Sequence, residues 1–280
     1  MISASFQLVA GVGAVRERRL WAAGAVRWGA YRRELVRLSE GVHVELSAAI
    51  AEAGAAYAAR DVDRLAALLP QGEHWRLFQE FGADAAYLDI ETGDDVVGCA
   101  GISAIGVLDG RGPRLLLAGR DLEHFPELAR DWSMLVTFNG LAFDVPILRR
   151  AFPEWRPPVA HVDLRHVLGR LGHHGKLKQL ELRLSALHLA RPDHLDGLGG
   201  WDACRLFRSG RQGDRDALRR FAEYNLYDVI NLRTLMAYAY NGLVDQLVLR
   251  APALRAAAPH VRVPGRGDVL YDVSKILLAL

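Results

Sequence analysis

Tyr87-Leu88-Asp89-Ile90-Glu91-Thr92-Gly93 is the stretch on which the reading of this chain turns. Apolar and acidic residues alternate along it, which predicts a strand. Successive side chains then leave opposite faces, so Asp89 and Glu91 point one way while Leu88 and Ile90 enter a core on the other. Two carboxylates on one face of a buried strand are costly, and hard divalent cations, which favour oxygen ligands, supply the compensation. Taken alone, an Asp-x-Glu is common and reads as a strand-end surface pair.

Outward from this strand the character is mixed α/β. Ala85 to Ile90, Val96 to Leu108, Arg114 to Ala118 and Met134 to Phe138 are short β-type runs separated by Gly/Asp turns, and helical patterns alternate with strands from Asp121 onward. Three early strands in a meander are followed by helix, strand, helix, strand, and no Gly-x-Gly-x-x-Gly follows a predicted strand, which argues against a fully alternating dinucleotide-binding sheet. The run Thr137-Phe138-Asn139-Gly140-Leu141-Ala142-Phe143-Asp144-Val145-Pro146 predicts a strand, an Asn-Gly turn and a short helix with Asp144 in its first turn. Read singly, Asp144 is a helix-start acid favoured by the dipole, and Phe143 is core. A long helix over roughly Asp214 to Tyr240 places Tyr224 and Asp228 four residues apart, hence on one face. Read singly, those are polar residues of an amphipathic helix.

Jointly and in this order, the Asp-x-Glu, the Asn-Gly-x-x-Phe-Asp and the Tyr-x-x-x-Asp resemble the three exonuclease motifs of the DEDD superfamily in its tyrosine subclass. The stretch from Trp75 to Tyr240 looks like a YprB-type ribonuclease-H-like domain, including His161-Val162-Asp163-Leu164 and Leu177-Lys178-Gln179-Leu180-Glu181. The resemblance implies an α/β fold, a ribonuclease H-like mixed sheet flanked by helices. One departure stands out. Many such exonucleases read Asp-x-Glu-Thr-Thr-Gly, whereas here Thr92 leads directly into Gly93-Asp94-Asp95. The resemblance implies that this loop contacts a terminal nucleotide, so the departure bears on end-dependence and leaves the carboxylates intact.

The resemblance further implies a 3′ to 5′ exonuclease acting on single-stranded or frayed DNA or RNA and releasing nucleoside 5′-monophosphates. Asp89, Glu91, Asp144 and Asp228 would hold two Mg²⁺ or Mn²⁺ ions, Asp89 bridging both, Glu91 and Asp228 completing one site, and Asp144 serving the other partly through water. Tyr224 would orient the attacking water, since its phenol is largely protonated near neutrality. An all-oxygen set lacks the soft ligands of a zinc or copper site. Thr92, Asn139, Lys176 and Lys178 are candidates for substrate contact, Asn139 reading somewhat better as a turn cap. His161 and Asp163 read as support for the site or as a buried polar link, and Arg205, Arg208, Arg211 and Arg215 as a backbone track or merely a solvated face.

The head of the chain reads as a smaller unit. Residues 1–80 are expected to be mainly helical, 81–240 to form the catalytic domain, and 241–280 to be an extension packed on it. Within 5–32, Gly11-Val12-Gly13 followed by Arg18, Arg19, Leu20 and Trp21 resembles a helix-hairpin-helix, whose turn glycines let backbone amides approach a phosphate. Between Arg16 and Arg37 seven arginines face only Glu17 and Glu34, interleaved with Trp21, Trp28 and Tyr31, so Arg18 and Arg19 are candidate nucleic-acid contacts. A solvated helical face explains them equally well.

Composition sets the outer bounds. With 51% hydrophobic and 24% charged residues in 280, the chain is neither disordered nor membrane-embedded. No apolar run spans a bilayer, and Met1 to Val15 has neither a basic leader nor a continuous apolar stretch, so neither a secretory signal nor a membrane span is expected and a cytoplasmic protein is. A formal charge of +2 requires any nucleic-acid affinity to come from local patches. Cys99 and Cys204 offer neither a disulfide framework nor metal-ligand spacing and are expected to be buried thiols. Two other readings stay open: a metal-dependent endonuclease, and a nucleic-acid-binding module of the same fold without turnover.

Overall fold

A computed structural model describes residues 1–93, 101–187, 189, 191–264 and 273–278. One sheet organises the molecule. Its strands are β1 (Ala85–Thr92), β2 (Ile102–Asp109), β3 (Gly112–Leu117), β4 (Met134–Thr137) and β5 (Ala160–Asp163), in the spatial order β3-β2-β1-β4-β5. β1, β2 and β3 form an antiparallel meander, while β4 and β5 run parallel to β1. The expected strand from Val96 is described from Ile102 on; residues 96–100 lie outside the described residues, as does Cys99.

Eleven α-helices accompany it among the described residues: α1 (Ala14–Ala22), α2 (Glu40–Ala58), α3 (Val62–Ala67), α4 (Phe78–Phe81), α5 (Phe125–Leu128), α6 (Asp144–Ala151), α7 (Leu164–Arg170), α8 (Leu177–Arg183), α9 (Gly200–Arg211), α10 (Arg215–Arg250) and the short α11 (Ser274–Leu278). No helix among the described residues is long and apolar enough to cross a membrane.

The period-two pattern of β1 divides two cores. Ala86, Leu88 and Ile90 join Ile105, Val107, Leu135, Phe125, Trp132 and Phe152 on one face, while Ala85 and Tyr87 join the cluster built around α10 on the other. α10 lies across β1 and β2 and runs ten residues beyond the expected end at Tyr240. Buried Leu243 and Val244 keep it on the core, and Gly242 admits Leu171, which a Cβ there would meet at 2.8 Å. Pro252 then stops it. The boundary expected at residue 241 therefore falls inside a helix.

The expected helix-hairpin-helix is corrected. A helix follows Gly13, but only the single turn Ile2–Ala4 and irregular backbone precede Gly11, so the glycines do not join two helices. Phe6, Leu8 and Val12 are each drawn into the core, and Phe6 donates its N–H to Glu17 at 2.7 Å, an arrangement incompatible with a helix over 5–13. Buried Glu17 also accepts both Nη atoms of buried Arg76 at 2.9 Å, tying this head to the segment just before the sheet. The carbonyl of Gly11 is taken by Arg16.

Candidate active site

β1 outruns its parallel neighbour. Its pairing with β4 ends at Tyr87↔Val136, so Asp89, Ile90 and Glu91 extend past the end of β4, where the chain turns through Asn139 into α6. The carboxyl ends of parallel strands are where open α/β sheets place their ligands. Asp89 and Glu91 are opposite Gly106 and Ala104 of β2, and α10 crosses above them. Small partners leave room for that helix. A Cβ on Gly106 would lie 2.1 Å from Asn225 Oδ1, so the glycine is what lets buried Asn225 descend and donate from Nδ2 to Asp89 Oδ2 at 3.0 Å.

One turn along α10, Asp228 completes a cluster: oxygens of Asp89, Glu91 and Asp228 all lie within 4.8 Å of one another. Asp144 arrives from the side in the first turn of α6, where its Oδ1 accepts the Ile90 N–H at 3.0 Å. That inward turn leaves its neighbour outside. Phe143, expected in the core, is 42% exposed at the start of α6.

The electrostatics are those of crowded acids. Burial pushes the Asp89 carboxyl up to about 6 against the pull of Lys178 and Arg191. Burial first, then the charge of Asp89, holds both Glu91 and Asp144 well above the usual carboxylate range. Burial also raises the Tyr224 phenol, with Glu91 and Asp89 adding to the effect. An all-carboxylate set short of positive compensation fits hard divalent cations. The residues present therefore suit a hard divalent cation better than a soft metal.

Cations line the same cluster. Lys178, from α8, pairs with Asp228 and sits 4.3 Å from the centroid of the Tyr224 ring. Burial, with Arg191 beside it, brings its ammonium down to about 7. Arg191 pairs with Asp228 as well and forks onto Glu181, with Nε and Nη2 at 3.0 and 3.2 Å from its two oxygens. Buried Asn231 donates to Glu181 Oε1 at 2.9 Å. Burial would raise Glu181, but Arg191 and Lys178 outweigh it and hold the carboxyl lower.

The remaining predicted residues separate into two groups. Thr92 ends β1 after a bulge, and its carbonyl accepts the Cys204 thiol at 3.0 Å. Asn139 adopts the left-handed conformation (φ 67°); its N–H donates to Asp163 at 2.8 Å and its Oδ1 accepts from Arg165 at 2.6 Å, so it builds the turn. Asp163 supports that turn, while His161, driven by burial down to about 4 and hence neutral, links to Thr137 at 2.9 Å. By contrast, Lys176 is exposed at the start of α8, and Arg18 and Arg19 lie on α1, which packs against the turn Pro252–Leu254. None of these three has a described contact with the carboxylates. Sequence reasoning missed Arg191, Asn225 and Asn231. Only Asn225 and Asn231 left a signal, each lying three residues from Asp228 on one helix.

A family model matches residues 86–240, more than half of the chain, and its description is the RNase_H superfamily. The chain belongs to the RNase H superfamily. The match begins one residue into the sheet and ends within α10, so it spans every strand together with Asp89, Glu91, Asp144, Tyr224 and Asp228. No curated protein and no solved structure matches the chain. The five-stranded mixed sheet flanked by helices is the α/β architecture expected of an RNase H superfamily member.

Proposed function

We propose that this RNase H superfamily chain is a metal-dependent nuclease of the DEDD tyrosine subclass, a 3′ to 5′ exonuclease on single-stranded or frayed DNA or RNA. The observation that carries the reading is the convergence of Asp89, Glu91 and Asp228 within 4.8 Å at the end of the parallel strands, with Asp144 beside them.

Hydrolysis adds water across the P–O3′ bond, leaving a nucleoside 5′-monophosphate and a 3′-hydroxyl on the shortened chain. Asp89, Glu91, Asp144 and Asp228 are the residues that would hold Mg²⁺ or Mn²⁺. Such cations, when bound, supply activation of water and neutralisation of the phosphate charge. Asn225 keeps Asp89 in place by its hydrogen bond at 3.0 Å. Tyr224, held protonated by burial and by the neighbouring acids, orients water as a hydrogen-bonding group rather than as a base. Lys178 supplies positive charge at the cluster's edge for the substrate phosphate. Asn139, engaged in its own turn, is assigned no substrate contact.

Incubation with Mn²⁺ and matched linear and circular single-stranded oligonucleotides tests this reading. The linear strand is expected to shorten from its 3′ end with release of 5′-monophosphates, and the circle to stay intact. Nicking of the circle would make the enzyme an endonuclease, and binding without breakdown of either strand would make it a binding module.

A further inference from the structure

Arg191 has more donors than its known partners use. Its Nε and Nη2 are held by Glu181 at 3.0 and 3.2 Å, and Glu181 is fixed in turn by Asn231 at 2.9 Å. This is a second layer behind the acid cluster. It fixes the plane of the guanidinium, because a forked pair holds both the position and the orientation of an arginine. The side chain is only 9% exposed, yet its Nη1 is buried with no hydrogen-bond partner among the described residues. A buried donor left unmade is costly, and Nη1 is the edge of this fixed guanidinium that can take a ligand oxygen.

The other contacts point to the charge of that ligand. Arg191 and Lys178 converge on a single oxygen, Asp228 Oδ1, while Glu181 already neutralises Arg191. The two cations therefore share two carboxylates, Glu181 and Asp228. Asp228 is also one of the three acids whose oxygens cluster within 4.8 Å. When Asp228 serves as a ligand in that cluster, Arg191 and Lys178 keep only Glu181 between them, and one positive charge is left to be met by an anion.

We infer that Arg191, with Lys178 beside it, forms a phosphate-binding position at the carboxylate cluster that takes a non-bridging oxygen of a nucleic-acid phosphodiester. This rests on the nuclease reading above and adds to it a residue that contacts substrate. Arginine suits the place better than lysine would, since the fork is held on one side by Glu181 and presents Nη1 on the other. Lys178 supplies charge, and Arg191 supplies direction.

The test compares wild type, Arg191→Gln and Arg191→Lys in two measurements. The first is calorimetric titration with Mn²⁺ alone. The second is fluorescence anisotropy with a labelled single-stranded oligonucleotide whose linkages carry a methylene in place of the bridging 3′-oxygen, which blocks cleavage and keeps both non-bridging oxygens, at several salt concentrations in Mn²⁺. Arg191→Gln is expected to bind Mn²⁺ at least as tightly as wild type, because a competitor for Asp228 is gone, and to bind the oligonucleotide roughly tenfold or more weakly. Its salt dependence should be shallower by about one charge. Arg191→Lys, which keeps the charge and loses the fork, should fall between the two and covers the case in which Arg191→Gln does not fold. Unchanged oligonucleotide affinity in a variant that binds Mn²⁺ normally overturns the phosphate role alone, as does a loss confined to Mn²⁺ binding, which would make Arg191 a prop for Asp228. Failure of wild type to bind Mn²⁺ overturns the nuclease reading and takes this inference with it.

Discussion

Asp89 lies where burial and charge oppose each other most strongly. Its carboxyl is raised from an ordinary value of 3.8 to about 6, principally by burial. A carboxyl whose folded value exceeds its unfolded value favours the folded state below about pH 4, and that contribution is lost as pH rises through about 6. The cation-free protein should therefore lose stability over this window relative to Asp89→Asn, which stays neutral. Thermal melts in chelator are expected to give equal transitions for the two proteins at pH 4 and a higher one for Asp89→Asn at pH 8. Added Mn²⁺ should raise the wild-type transition at pH 8 and leave that of Asp89→Asn unmoved, since a ligand that binds only the folded state stabilises it by mass action. A wild type as stable as the variant at pH 8 in chelator would remove the premise that the acids are short of compensation. At this scale the sequence was informative wherever residues act through local spacing: Asp89 and Glu91 share a face because a strand has period two, and Tyr224 and Asp228 because a helix returns after four. It was silent on Arg191, whose partners Glu181 and Asp228 lie ten and 37 residues away. Phe143 was misread because its apolar character says nothing of which way a helix start faces.

Between elements, the site depends on how closely α10 approaches β2. Gly106 controls that approach, as an added methyl would fall 2.1 Å from Asn225 Oδ1. Gly106→Ala is expected to push Asn225 off Asp89, to destabilise the fold by roughly 1–3 kcal/mol, as overpacking does, and to weaken Mn²⁺ binding. Gly110→Ala, at a glycine whose surroundings are open, serves as the control. Calorimetric Mn²⁺ titration of both variants checks this, and a wild-type isotherm for folded Gly106→Ala would show that Asn225 does not position Asp89. The first four strands were legible from their alternation and turn residues, to within a residue or two where described, while β5 was expected without bounds. The end of α10 was not, because Asn241 and Gly242 look like a helix stop. Burial of Leu243 and Val244 outweighs the local cost of that glycine.

Across the whole molecule, one buried cluster runs from Phe6 and Trp21 through α10 to the inner face of the sheet, so the head of the chain packs into the core that supports the site. The Glu17–Arg76 pair, with each side chain 1% exposed, joins the two parts by charge as well as by packing. The Gly-x-Gly of the head suggested a phosphate-binding hairpin because that motif is judged locally. Whether helices flank it on both sides is decided by where Phe6, Leu8 and Val12 are buried, and that is a tertiary matter. The acids contrast with it: Asp89 and Glu91 on β1 and Asp228 on α10, far apart in sequence, bring oxygens within 4.8 Å of one another, and Asp144 accepts the Ile90 N–H beside them. The measurement that tests the central claim most directly is degradation of an end-labelled single-stranded oligonucleotide in Mn²⁺ by wild type, Asp89→Ala and Asp144→Ala. Loss of an acid that holds the cations should remove several kcal/mol of transition-state stabilisation, roughly a thousandfold in rate. The account predicts breakdown by wild type that chelator abolishes and that both variants lack, and equal breakdown by all three proteins would contradict it.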